Sequence, residues 1–112
     1  MSGYFELSSA AGSQFKFNLK AANHQVILSS ELYKTKQSAL GGIASVQKNA
    51  TDDARYQRKT AKDNSPYFTL VAGNGEALGR SEMYSSTSAM ESGIASVKAN
   101  AVAASTKDLT AA

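Results

Sequence analysis

The chain has 112 residues, with 12 basic and 9 acidic side chains, a net charge of +3, one histidine and no cysteine. That length fits one domain or two very small ones, and the missing thiols exclude disulfides, thiolate metal sites and a cysteine nucleophile. No apolar run approaches the ~20 residues that span a bilayer, and so small a net charge does not by itself mark a nucleic-acid binder.

The first residues, Met1-Ser2-Gly3-Tyr4-Phe5-Glu6, lack a basic stretch followed by a long apolar one, so a soluble cytoplasmic protein is expected. A strand is predicted at Tyr4–Leu7, followed by a small-residue loop over 8–13. Phe15, Phe17, Leu19 and Ala21 then alternate with Lys16, Asn18 and Lys20, the period-2 pattern of a half-buried strand. Asn23-His24 reads as a two-residue hairpin turn with positive φ at both positions, a role His fills less readily than Gly. Val26-Ile27-Leu28 forms the next strand. Ala39, Ile43, Val46 and Ala50 fall on one helical stripe, which predicts a helix over Lys36–Asn49. Thr35 is its expected N-cap and Asn49 its expected left-handed end.

The same order then repeats 51 residues later. Gly42-Ile43-Ala44-Ser45-Val46 recurs unchanged as Gly93-Ile94-Ala95-Ser96-Val97, and Ser30-Glu31-Leu32-Tyr33 as Ser81-Glu82-Met83-Tyr84. Tyr56 takes the place of Phe5, and Phe68, Leu70 and Ala72 repeat the strand pattern. Asn74-Gly75 repeats the turn, and Ala77 and Leu78 are a poorer version of the third strand. Met90, Ile94, Val97 and Ala101 repeat the helical stripe, over a predicted helix Thr87–Asn100 with Ser86 as N-cap. Gly42 and Gly93 stand beside that stripe. Glycine inside a helix costs ~1 kcal/mol relative to alanine, so close approach of another backbone, that of the sheet or of the sister helix, is expected there. The tail from Ala103 to Leu109 has weak strand character.

The expected fold is α+β, with tandem β-β-β-α(-β) units in one continuous antiparallel sheet of about seven strands. Two helices cover one face with pseudo-twofold symmetry. The whole chain is read as one domain of two repeats, 1–51 and 52–112, sharing a strand near 54–60.

The opening Gly-Tyr-Phe-Glu-Leu, the Phe-x-Leu-x-Ala-x-Asn hairpin, the Ser-Glu-x-Tyr turn and Gly-Ile-Ala-Ser-Val-x-x-Asn-Ala together resemble the YegP-like family of small bacterial proteins. The resemblance covers nearly the whole chain in both copies. It implies a β-β-β-α-β unit, paired into one sheet with the final strands exchanged. It also implies that this chain is a covalent counterpart of the dimers expected for one-unit members. The family is uncharacterised, so the resemblance supplies no catalytic residues.

No nucleophile, base and orienting group appear together, no nucleophile-elbow or phosphate-loop motif is present, and no cofactor or metal site is expected. Two glutamate–tyrosine pairs, Glu31 with Tyr33 and Glu82 with Tyr84, sit at equivalent strand-to-helix connections. Acid–base chemistry is conceivable there, but helix capping by the carboxylates is the expected role. His24 is expected to be a solvated turn residue.

The best candidate surface is the sheet face opposite the helices, with Tyr4, Lys16, Lys20, Arg55, Lys59 and Tyr67, flanked by Glu6, Asn18, Gln57, Thr69 and Val71. A non-catalytic binding or interaction module is the first reading, single-stranded nucleic-acid binding the alternative, and an enzyme with an unrecognised site the third. Residues 1–51 carry five lysines against two glutamates, while residues 52–112 carry seven basic and seven acidic side chains. Any specific activity is therefore sought in the more basic first copy.

Overall fold

The structure is a computed structural model and describes residues 3–110. Strands β1 (Tyr4–Ala10), β2 (Gln14–Lys20) and β3 (Val26–Ser30) lead into helix α1 (Lys36–Asn49). A 3-10 turn (Asp53–Arg55) precedes β4 (Tyr56–Thr60), β5 (Pro66–Val71) and β6 (Ala77–Arg80), which lead into α2 (Thr87–Ala101) and β7 (Ser105–Asp108). All seven strands form one sheet in the order β4-β5-β6-β3-β2-β1-β7. Read outward from its centre, β3-β2-β1 is mirrored by β6-β5-β4. The two copies therefore meet at the β3–β6 pair, where Ser29 faces Arg80 and Ser30 faces Gly79.

The pairing is antiparallel except at one edge. There β7 runs parallel to β1, with Tyr4 opposite Ser105 and Leu7 opposite Asp108. The expected all-antiparallel sheet thus needs this correction. Helix α2 delivers the chain to the free edge of β1, where β7 runs with β1 and opposite to β6, the strand that precedes α2.

Strand alternation and the helical stripes build one apolar cluster. Phe5, Leu7, Phe17, Leu19 and Leu28 from the first copy are fully buried with Phe68 and Leu70 from the second. Ala39, Ile43 and Val46 of α1 and Met90, Ile94 and Val97 of α2 close the cluster from above. Each large buried side chain contributes about 1.5–3 kcal/mol. The helices also cross the copy boundary. Helix α1 rests on β2 and on β5 and β6, while α2 rests on β5 and on β3 and β1.

Several local expectations are sharpened. Thr35 and Ser86 cap their helices, accepting from Ser38 N and Ala89 N. Helix α2 runs one residue past Asn100, and the caps Ala50 and Val102 are right-handed. Asn49 and Asn100 act through their side chains instead. Each Nδ2 donates to the carbonyl four residues back, at Ser45 and Ser96. Their Oδ1 atoms accept from Arg55 Nε and Gly3 N, tying each helix end to the start of a strand.

The hairpin turns also differ from the expected two-residue type. Only His24 and Gly75 have positive φ, at 70° and 87°. Asn23 and Asn74 accept from the backbone N–H two residues on, at Gln25 and Glu76, which is asparagine's usual device in turns. The β4–β5 hairpin uses the same geometry, with Asn64 at φ 70° and Asp63 accepting from Ser65 N.

The helical glycines are approached by neither the sister helix nor a strand backbone. A Cβ at Gly42 would lie 2.7 Å from Tyr33 Cζ, and one at Gly93 2.6 Å from Tyr84 Cζ. Each glycine is the gap that lets its own copy's tyrosine ring lie against the helix.

Candidate functional site

Because Phe5, Leu7, Phe17, Leu19, Phe68 and Leu70 point into the core, the residues between them project from the opposite face. The register assembles those residues into a row across the whole sheet. Lys107 faces Glu6, which faces Asn18, which faces Ser29. Ser29 faces Arg80, which faces Thr69, which faces Gln57. Every member of this row is polar. Beside it lie Tyr4 opposite Lys20, Ser8 opposite Lys16, and Lys59 opposite Tyr67.

The strand residues of this face thus include Lys16, Lys20, Lys59, Arg80 and Lys107, against the single carboxylate of Glu6. Glu6 is spent on Lys20, at 2.9 Å, and their hydrogen bond raises the Lys20 pKa. Lys16, Lys59, Arg80 and Lys107 are exposed and make no ion pair among the described residues. Seven of the nine acidic residues lie elsewhere than this face or the Asp63 turn: Glu31, Asp52, Asp53, Glu76, Glu82, Glu91 and Asp108.

The structure places four of the expected face residues, Lys16, Lys20, Lys59 and Tyr67, on the strands as anticipated. Tyr4 is there too but is engaged. Its hydroxyl is 2.8 Å from His24 Nδ1, and the Lys107 ammonium lies 5.7 Å from its ring centroid, within cation–π range. His24 is therefore a partnered turn residue, not simply a solvated one. Arg55 stands in the 3-10 turn, one residue before β4. Its guanidinium is held by Asn49 Oδ1 and lies 3.6 Å from Asp52, so it is not a free cation of the strand face. Arg80 and Lys107 join the face without having been expected there. Arg80 belongs to a short strand whose pattern is weak, and Lys107 to the tail.

On the helix side, each copy repeats one aromatic ladder. Phe17 stacks on Tyr33 at 6.0 Å and Phe68 on Tyr84 at 6.3 Å. Phe5 meets Phe17 edge-on, as Tyr56 meets Phe68. The recurring Ser-Glu-x-Tyr segment has a structural reason. Ser30 Oγ accepts from Phe17 N and donates to the Glu31 carbonyl, and Ser81 does the same with Phe68 and Glu82. This latch bends the chain away from the sheet. The expected capping by Glu31 and Glu82 is not seen: neither carboxylate receives a hydrogen bond among the described residues, the caps being hydroxyls. Each instead lines a separate cleft. Among the described residues no group of three or more His, Asp or Glu could hold a metal ion.

Two segments of the chain, residues 10–57 and 61–108, match the family described as a domain of unknown function, DUF1508. The chain belongs to this family. The matches lie 51 residues apart, the spacing of the internal repeat, and each runs into the strand after its helix. A UPF0339 protein of Bordetella pertussis is 65% identical over all 112 residues, covering 100% of both chains. The UPF0339 protein YegP of Escherichia coli K12 is 49% identical, covering 98% of this chain and 100% of its own. The solution structure of a UPF0339 protein from Shewanella oneidensis superposes with a TM-score of 0.92 at 52% identity, covering 98% of this chain and 93% of that one. The solution structure of YegP from E. coli gives 0.94 at 48%, covering 100% and 97%. The family is uncharacterised, so its members share a fold without a named activity.

Proposed function

We propose that this protein is a non-catalytic binding module and that its open sheet face recognises an anionic partner. The observation that carries this reading is the segregation of charge. Four cations without an ion pair among the described residues, and one internally paired Lys–Glu couple, occupy this polar face, while most carboxylates lie elsewhere on the molecule. A modest net charge of +3 thus becomes a locally stronger positive field, which attracts a polyanion and weakens with salt. Single-stranded nucleic acid is the favoured version, because Tyr67 stands beside Lys59 on the same face and a tyrosine ring can stack a base. The cysteine-free chain is taken to work in the cytoplasm.

Fluorescence anisotropy with a short labelled single-stranded oligonucleotide at low salt tests the reading. With about four phosphates neutralised, the slope of log K against log salt should be roughly −3. Replacing Lys16, Lys59, Arg80 or Lys107 with Ala should each weaken binding and flatten that slope, whereas Lys34→Ala and Lys48→Ala should not. Binding equally sensitive to both groups of lysines, or absent at low salt, contradicts the proposed surface.

A further inference from the structure

The sheet contains its own example of a strand added to an edge. Along the outer side of β1 lies β7, parallel to it, with Phe5 opposite Thr106 and Leu7 opposite Asp108. The Leu7 carbonyl faces outward and accepts from Leu109 N at 2.8 Å. Shifted by the 51 residues of the repeat, Tyr4–Leu7 becomes Arg55–Arg58. The outer side of β4 is therefore the internal counterpart of the side that β7 fills. Among the described residues no strand pairs there.

The backbone phase of the two edges is the same. Phe68, opposite Arg58 on β5, donates its N–H to Ser81 Oγ and accepts from Ser81 N, both on the β6 side. Arg58 and Phe68 are thus a non-hydrogen-bonded pair, and Arg58 turns its own N–H and C=O away from β5. Leu7 and Phe17 stand in the same relation, since Phe17 N donates to Ser30 Oγ. Alternation puts Tyr56 and Thr60 in phase with Arg58. The Tyr56 N–H is taken by the Asp53 carbonyl, so the open run starts at the Tyr56 carbonyl and ends at Thr60. The charge of the two edges differs. On the open-face side β1 presents Glu6, and the strand it holds places Lys107 opposite. On that side β4 presents Gln57 and Lys59, and Lys59 has no ion pair among the described residues. On the helix side the fully buried Leu7 is replaced by an exposed Arg58, whose guanidinium binds Glu91 and Asp53.

We propose that the outer edge of β4 docks an extended acidic segment of a partner protein, which joins the sheet parallel to β4, as β7 joins β1, and sets a carboxylate opposite Lys59. Main-chain hydrogen bonds supply the affinity of such strand addition, and the alternate side chains supply its selectivity. The charge rule is the one the β1–β7 pair obeys with its signs reversed, since opposite charges facing each other across strands attract and like charges repel. A second copy is the poorer occupant, because its β4 repeats the same cations and its β7 is already paired with β1.

The test is a titration of the full chain with a blocked hexapeptide of alternating threonine and glutamate, followed by amide chemical shifts and hydrogen exchange. Saturable shifts centred on Tyr56–Thr60 and slower exchange of the Arg58 amide are expected. The threonine–lysine counterpart should bind up to about fivefold more weakly, and Lys59→Glu, at an exposed edge position, should reverse that order. Methylating every second nitrogen of the acidic peptide keeps its charges and removes the donors of one parity. One parity should lose about tenfold or more in affinity and the other little, because only one faces β4. Shifts that are absent, that centre on Ser105–Asp108, or that spread over Lys16 and Lys107 would each overturn the site, as would equal sensitivity to both methylations or an order of peptides that ignores Lys59→Glu. Lys16→Ala and Lys107→Ala, which should weaken the oligonucleotide, should leave the acidic peptide's affinity unchanged, so this proposal and that for the sheet face fail separately.

Discussion

The two copies agree closely inside the sheet and diverge at its rim and its ends. Phe17 and Phe68, Leu19 and Leu70, Val46 and Val97, Tyr33 and Tyr84 occupy equivalent places with equivalent partners. Tyr4 and Arg55, Lys20 and Val71, His24 and Gly75, Gln25 and Glu76 do not match, and all of these lie on the open face, at hairpin tips or at strand starts. The ends differ most. After α2 the chain is free to continue beside β1 as β7. After α1 it must turn through Asp53–Arg55 and begin the second copy as β4. That strand is consequently left at the sheet edge, where Arg58 and Lys59 discourage edge-to-edge pairing. Packing tolerates little divergence between copies, whereas the rim tolerates much, so the rim is where recognition can differ.

If the interior positions are equivalent, truncating them should cost the same in both copies. Phe17→Ala and Phe68→Ala should each destabilise the protein by about 3–5 kcal/mol, read by denaturant unfolding. A large gap between them would break the equivalence. Gly42→Ala and Gly93→Ala come next, at about 1–3 kcal/mol, because each new Cβ meets a tyrosine ring that is itself stacked on a phenylalanine. Gly42→Leu should be worse than a propensity effect alone, and an unchanged melting temperature would remove the explanation. At the hairpin tips the copies should respond unequally. Gly75→His should cost about 1–2 kcal/mol, since a side chain at positive φ is strained. His24→Gly relieves that strain while losing the Tyr4 bond, and its net effect should stay within about 1 kcal/mol.

The smallest effect concerns the ends. The ion pair with Lys36 and the hydrogen bonds from Thr110 lower the Asp108 pKa to about 2. A depressed carboxylate pKa stabilises the folded state above the unfolded value of ~3.9 and loses that contribution as pH falls through the folded one. The steady-state heteronuclear NOE of Ser105–Asp108 should therefore drop between about pH 4 and pH 2. The amides of β5, an interior strand with no charged side chain, should keep theirs. Simultaneous loss in both strands would mean global acid unfolding instead.

Much of the fold was legible because periodicity and repetition reinforce each other. The strand alternation at Phe15–Ala21, the stripe at Ala39–Ala50 and the caps Thr35 and Ser86 all rest on local chemistry that one segment carries by itself. What stayed hidden depends on partners distant in sequence. The parallel β7 is recognisable only from where α2 delivers it. The reason for Gly42 is Tyr33, nine residues earlier, folded back against the helix. The Asn49 and Asn100 side chains serve the strand that follows one helix and the strand that opens the chain. The candidate face was half visible. Lys16, Lys20, Lys59 and Tyr67 follow from alternation, but Arg80 joins them only through the β3–β6 register, and Arg55 leaves them because a 3-10 turn intervenes. The clefts, built across the two copies, carry no local signature at all.

The central claim is that the copies close one core and that neither does so alone, a claim supported by helices that each cover strands of both. Separating the chain between Asp52 and Asp53 tests it most directly. Fragments 1–52 and 53–112 should each give collapsed amide spectra, and mixing them should restore the dispersed spectrum of the intact protein. Two fragments that fold separately, each with the mass of a monomer, would contradict it.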